Sequence, residues 1–240
     1  MVERGSPHTL AVDIGGTDIK VMRLDARGRP ASERLRIETP SPATPAAVLE
    51  ALAGAIRDLP AFDRVSVGFP GVVLDGVVRT AANLHPAWIG VNVARRVRLL
   101  ARRPTRVAND ADVQGLGVVA GRGVELVITL GTGIGSALFL DGQLVPNLEM
   151  GHHPFERGRT YEHMLGDPAL KRIGKVEWNR RLRRAVEALE KAFSYRRLYL
   201  GGGNARLVTG RLPANVRVVD NVAGLFGGIR LWAPRARPAG

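Results

Sequence analysis

A chain of 240 residues with 45% hydrophobic content is long enough for two small domains and apolar enough to bury their cores. It has no cysteine, which excludes disulfides, thiolate zinc sites and cysteine nucleophiles, and no run near the ~20 apolar residues of a membrane helix. The net charge of +13 suits polyanionic partners, although only Lys20, Lys171, Lys175 and Lys191 are lysines and general arginine enrichment explains the number equally well. Along the chain, Leu10 to Ile14 is a short apolar run ending in Gly15-Gly16, and Ile19 to Leu24 resumes the pattern. That is a β-hairpin with glycines at its tip, not the strand–loop–helix of a P-loop.

Thr39 to Pro45 reads as a loop, with Thr44 and Pro45 opening a helix over Ala46 to Asp58. Arg64 to Phe69 is a strand stopped by Pro70-Gly71, and Asn92 to Arg102 has helical spacing with Val93, Val97 and Leu100 on one side. A strand over Thr105 to Ala108 precedes a helix from Asp112 to Ala120. Glu125 to Leu130 is a buried strand ending in Gly131-Thr132-Gly133, with Ser136 to Leu140 as its returning partner. Trp178 to Phe193 is the longest helical pattern, its stripe formed by Leu182, Val186 and Leu189. Leu198 to Leu200 runs into Gly201-Gly202-Gly203, a last helix starts near Ala223, and the tail after Trp232 is expected to fray. The unit of strand, glycine turn and strand thus occurs twice, which suggests a duplicated α/β architecture.

Two glycine-tipped hairpins can clamp a phosphate chain, because glycine lets backbone N–H groups approach an anion closely. In the first, Thr17 offers a hydroxyl, Lys20 a charge, and Asp13 a carboxylate suited to a magnesium ion or its water. The second, around Thr132, carries no charge. Taken alone, each hairpin is more often only a hairpin. In "VANDAD", Asp110 is placed to act as general base toward an attacking alcohol. Asn109 or Asp110 equally suits a plain helix cap, the more frequent use of these residues. Glu149 and His152, around Gly151, suit vicinal sugar hydroxyls; a metal site or a polar loop is the alternative, and His153 reads as a bystander.

The segments "LAVDIGGTDIK", "GFPGVV", "TAAN", "NDAD", "TLGTGIGSALFLDGQLVPN", "GHH" and "YLGGGNA" together resemble the ROK family of bacterial sugar kinases, and within it the polyphosphate glucokinases, from about residue 9 to 230. The resemblance implies an actin-like ATPase (ribonuclease H-like) fold of two α/β domains with a central cleft, here divided as 6–108 and 109–240. It implies Asp110 as catalytic base, with Gly71, Asn83, Asn109, Glu149 and His152 toward the sugar. Asp13, Gly15, Gly16, Thr17, Lys20, Gly131, Thr132 and Gly133 match the phosphate elements, and Gly201, Gly202 and Gly203 the nucleotide-side turn. Glu162 is a candidate for a further sugar-contacting acid in the loosely aligned stretch from Phe155 to Trp178. The cysteine-rich zinc motif that many members carry after "GH" is missing, as it is in the polyphosphate glucokinases.

The implied activity is phosphoryl transfer from polyphosphate or ATP to the 6-hydroxyl of glucose with Mg2+, without zinc, in a cytoplasmic homodimer that binds neither DNA nor membrane. An ATP-only glucokinase or mannokinase and a non-catalytic sugar sensor are the rivals. The N-terminus lacks the layout of a signal peptide, only some eight residues precede the first strand, leaving no room for a helix-turn-helix, and at 5% aromatic content the stacking residues of a nucleic-acid binder are scarce.

Overall fold

The structure, a computed structural model, describes residues 6–220 and 223–233. Contacts divide the chain into two compact units: residues through Gly117 together with those from Gly224 on, and Val118–Ala223.

In the first unit, β1 (Thr9–Ile14), β2 (Asp18–Leu24) and β3 (Leu35–Glu38) form an antiparallel meander. Then come α1 (Pro45–Arg57), β4 (Arg64–Phe69), the small hairpin β5 (Val73–Leu74) and β6 (Val77–Val78), α2 (Val93–Ala101), β7 (Thr105–Asn109) and α3 (Asp110–Val118). The sheet order is β3-β2-β1-β4-β7, with β4 and β7 joined to β1 in parallel. Thr44 opens α1 as expected, its hydroxyl accepting from Ala47 N at 3.3 Å, and Val48 and Leu52 turn one face of the helix inward. They meet Leu10, Val12 and Ile14 of β1 and Val65 and Val67 of β4 in a core that also holds the edge-to-face pair Phe69–Trp88.

In the second unit, β8 (Val124–Leu130) and β9 (Ile134–Leu140) make the expected hairpin, extended by β10 (Gln143–Val145). A small hairpin of β11 (Pro154–Glu156) and β12 (Arg159–Thr160) leads to α4 (Tyr161–Leu165) and α5 (Asp167–Phe193). Helix α5 is interrupted at Gly174, whose φ of 75° and ψ of 164° are not helical. After β13 (Arg197–Gly201) and β14 (Val216–Val218), the sheet order is β10-β9-β8-β13-β14. Numbered from its own first strand, each sheet runs 3-2-1-4-5, so the duplication suggested by the glycine turns extends to whole sheets. Trp178, Leu182, Val186 and Leu189 pack against β8 and β13, the stripe expected from the sequence.

The sequence placed the domain boundary at 108/109, whereas by contacts α3 stays with the first unit and residues from Gly224 on return to it. The packing gives the reason. α6 (Ala223–Phe226) brings Leu225 against Ala11, Met22 and Leu24, on the sheet face opposite the main core. A side chain at Gly227 would lie 1.8 Å from the carbonyl oxygen of Val113, so only a bare backbone fits against α3 there. The buried Ser66 hydroxyl donates to Gly228 O at 2.6 Å and accepts from Trp232 Nε1 at 2.9 Å. The guanidinium groups of Arg64 and Arg106 lie 5.2 and 4.6 Å from the Trp232 ring centre. The tail expected to fray lies, from residue 234 on, outside the described residues.

Candidate active site

In the first unit the candidate residues gather at the carboxyl ends of β1, β4 and β7, the edge where open α/β sheets bind ligands. Asp13 pairs in register with Gly68, and Gly68 with Ala108. Because Gly68 has no side chain, the space above it is bounded by two acids. A Cβ there would lie 3.6 Å from Asp13 Oδ1 and 3.7 Å from Asp110 Cβ. The other Asp13 oxygen takes Lys20 Nζ at 2.9 Å, so the lysine charge is shared across the hairpin before any phosphate arrives.

The hairpin tip is held from outside. Gly15 N donates to Asp18 O, while the Thr39 hydroxyl donates to Gly15 O at 2.7 Å and Thr39 N to Thr17 O at 2.9 Å. With those carbonyls engaged, the N–H groups of Gly16 and Thr17 have no protein partner among the described residues, the arrangement an anion nest requires. Gly16 backs directly onto the candidate sugar residue Asn83, since a Cβ at Gly16 would lie 2.8 Å from its carbonyl oxygen.

The capping reading of "VANDAD" holds. Asn109 is the cap: its Oδ1 accepts from Ala111 N at 2.8 Å and Asp112 N at 3.4 Å, and its Nδ2 donates to Gly71 O at 3.2 Å. The helix therefore begins at Asp110 and not at Asp112 as the pattern suggested. Asp110 sits on its first turn, one carboxylate oxygen accepting from Ala111 N at 2.8 Å, beside the space over Gly68. The cap thereby fixes the candidate base and the Gly71 loop together.

In the second unit the tip Gly131–Gly133 is closed by Gly131 N donating to Gly133 O. Asp167 N, opening α5, donates to Gly131 O at 3.0 Å. Gly202, at φ +84°, lies against Leu130: a Cβ would come within 2.5 Å of that carbonyl oxygen, so the Gly201–Gly203 turn rests beside the tip of this hairpin. Glu149 and His152 approach through Oε2 and Nε2 at 3.7 Å. Ser136 staples the backbone on both sides of Glu149, donating to Leu148 O at 2.5 Å and accepting from Met150 N at 2.9 Å. Gly151 presses onto Ile134 O, and Glu162 Oε2 accepts from Ile134 N at 3.1 Å. Glu162 and Gly151, the latter between Glu149 and His152 in the chain, thus both meet the first residue of β9, one step from Gly133.

Burial pushes the Glu149 carboxyl above its ordinary 4.5; His152 opposes that and the Glu162 charge adds to it. His153 turns aside, its Nδ1 near Pro154 O. Among the described residues no group of three or more histidines and acids is disposed to hold a metal. Two contributors escaped the sequence reading. Thr39 acts through backbone atoms 22 and 24 residues away, which no local pattern reveals. Ser136 did leave a trace, as a polar residue at a buried strand position.

The ROK family pattern covers residues 9–164. The polyphosphate glucokinase of Mycobacterium tuberculosis is 33% identical over 237 residues, covering 92% of this chain and 89% of that protein. Its counterpart in Mycobacterium leprae is 34% identical, covering 90% and 72%. The crystal structure of the inorganic polyphosphate/ATP-glucomannokinase from Arthrobacter sp. strain KM superposes with a TM-score of 0.85 at 35% identity, covering 94% of this chain and 98% of that one. The fold is the actin-like ATPase fold, and the chain belongs to the ROK family.

Proposed function

We propose that the protein is a glucokinase that transfers the terminal phosphoryl group of polyphosphate or ATP to the 6-hydroxyl of glucose. The observation that carries the reading is near full-length similarity, at 33–35% identity, to proteins named polyphosphate glucokinase and polyphosphate/ATP-glucomannokinase. The chemistry that each unit carries supports it. Asp110 accepts the proton of the 6-hydroxyl as the oxygen attacks phosphorus. Glu149 and His152, with Asn83, Asn109 and the Gly71 loop, hold the sugar hydroxyls. Glu162 joins them, on the strength of its place beside Glu149. The tip amides of Gly16 and Thr17, with the Gly131–Gly133 and Gly201–Gly203 turns, receive the phosphates, where preorganised donors stabilise developing charge.

A magnesium ion fits this arrangement. Asp13 Oδ1 borders the position that a side chain at Gly68 would occupy, and a single carboxylate with donor phosphates and water is a common magnesium environment. When bound, the ion neutralises charge on the phosphates. The reading extends to a cytoplasmic homodimer acting in carbohydrate metabolism, which rests on the family resemblance. Among the described residues, no helix is long and apolar enough to cross a membrane.

The test is glucose and mannose phosphorylation by purified protein with magnesium, with polyphosphate and ATP in parallel. Hexose 6-phosphate with either donor bears the kinase out, and the ratio of efficiencies assigns the donor. No product from any combination overturns it in favour of a sugar sensor. Asp110→Asn is expected to reduce turnover at least ~10³-fold with glucose affinity nearly intact, read by steady-state kinetics and calorimetry.

A further inference from the structure

An open cavity of about 500 Å3 lies in the second unit between the β11–β12 hairpin, α4 and α5. That volume is typical of small-molecule sites. Its wall carries four guanidinium groups, Arg157, Arg180, Arg181 and Arg184, against two carboxylates, Glu156 and Glu177. The acids orient the arginines without matching them in number. Glu156 takes Arg184 through two bonds of 2.6 and 2.9 Å. Glu177 is shared by Arg180 at 2.6 Å and Arg181 at 3.3 Å. The lining therefore holds two more positive charges than negative ones, on side chains already fixed in place.

Two details point to a ligand. Arg181 is only 19% exposed, yet among the described residues its Nη1 has as hydrogen-bond partner only Met164 Sδ at 3.6 Å, a weak acceptor for a charged donor. Arg157 occupies the tip of the β11–β12 hairpin at φ 54°, a left-handed conformation that asparagine or glycine would fill with less strain. It forms no ion pair among the described residues. A strained arginine at the mouth and an under-used one within are what a phosphate dianion would engage.

We infer that this cavity is a second anion site, which binds a phosphate dianion carried on a small molecule. Two sources share that chemistry: a hexose 6-phosphate and the end of a phosphate chain. Naming them rests on the kinase reading; the site itself does not. The location gives it a consequence. Met164 in the cavity wall and Glu162 beside Glu149 belong to the same five-residue helix, and β11 begins two residues after His152. A ligand that moves α4 changes sugar affinity, and sugar changes the ligand's affinity by the same factor.

The experiment is calorimetric titration of the protein with glucose 6-phosphate, tripolyphosphate and inorganic phosphate separately. Wild type is compared with Arg157→Gln/Arg180→Gln, and with Arg180→Glu as a second variant at a position whose side chain is 68% exposed. Melting curves check that each variant is folded. The expected result is loss of one binding equivalent, or at least ~10-fold weaker affinity for it, in both variants. Loss confined to glucose 6-phosphate identifies the sugar phosphate, and loss confined to tripolyphosphate the chain end. Equal stoichiometry and affinity in wild type and folded variants for all three ligands, an adventitious basic surface only, overturns the site. Failure of the kinase reading shows separately, as absence of hexose phosphate in the activity assay.

Discussion

Glu149 is placed in partly buried surroundings, beside a second acid, where its proton is held more tightly than in water. A raised pKa in the folded state stabilises the protein below the unfolded value and is lost as pH rises through the folded one. At neutral pH the ionised carboxylate is therefore a cost to stability, which the proposed role in sugar binding would explain. Glu149→Gln is expected to melt roughly 2 °C higher than wild type at pH 7 while binding glucose at least ~10-fold more weakly. Lowering the pH should weaken glucose binding by wild type with a midpoint above 4.5, and the variant should lack that acid limb. Calorimetry across pH 4 to 7 with melting curves checks both. Thr39 gives the converse case, a residue without reacting atoms. Thr39→Val removes the 2.7 Å bond to Gly15 O while keeping shape, so the tip amides lose their fixed aim. The donor KM should rise about 5- to 10-fold with the glucose KM unchanged. Equal changes in both would reduce Thr39 to a packing role.

At the scale of elements, the second residue of β8 is a buried acid, Glu125, at 1% exposure. Its carboxylate accepts from Ala120, Gly121 and Arg122 N–H groups at 2.6 to 3.1 Å and from the Tyr199 hydroxyl at 2.8 Å. Burial alone would raise its pKa, but these four donors hold it below the ordinary 4.5. The sign is opposite to that of Glu149: the stabilisation is present above the unfolded pKa and lost as pH falls through the folded one. Glu125→Gln should cost about 2 kcal/mol at pH 7, by denaturant unfolding, and progressively less toward pH 3.

The same scale shows what a sequence can carry. Both glycine-tipped hairpins, β4 and the Trp178–Phe193 stripe were legible because apolar period and turn chemistry agree there. β3, β5, β6, β10, β11, β12 and β14 are two to four residues long, too short for any period to register. The first turns of α5 were hidden by Pro168 and Gly174, which read as breakers although the break is local. Asp110, Glu149 and His152 were legible as motif residues; that Asn109 reaches both Ala111 N and Asp112 N required the coordinates.

At the scale of the molecule, the +13 charge bears on the donor. A phosphate chain that releases counterions on binding a basic surface weakens steeply with salt, whereas a compact nucleotide triphosphate weakens less. Between 50 and 300 mM KCl, the KM for long-chain polyphosphate should rise at least ~5-fold more than that for ATP. Parallel slopes would assign the charge to composition.

Val118–Ala223 is bracketed in the chain by the two portions of the other unit. The order of synthesis follows from that. Every residue of the bracketed unit is synthesised before Leu225, which packs on Ala11 of β1, Gly227, which seats against α3, and Trp232, which bonds Ser66 of β4. Until then the first sheet has Ala11, Met22 and Leu24 bare on one side. The unit begun first is thus completed last, and a stalled or truncated nascent chain would present that apolar face to chaperones while its downstream neighbour is already folded.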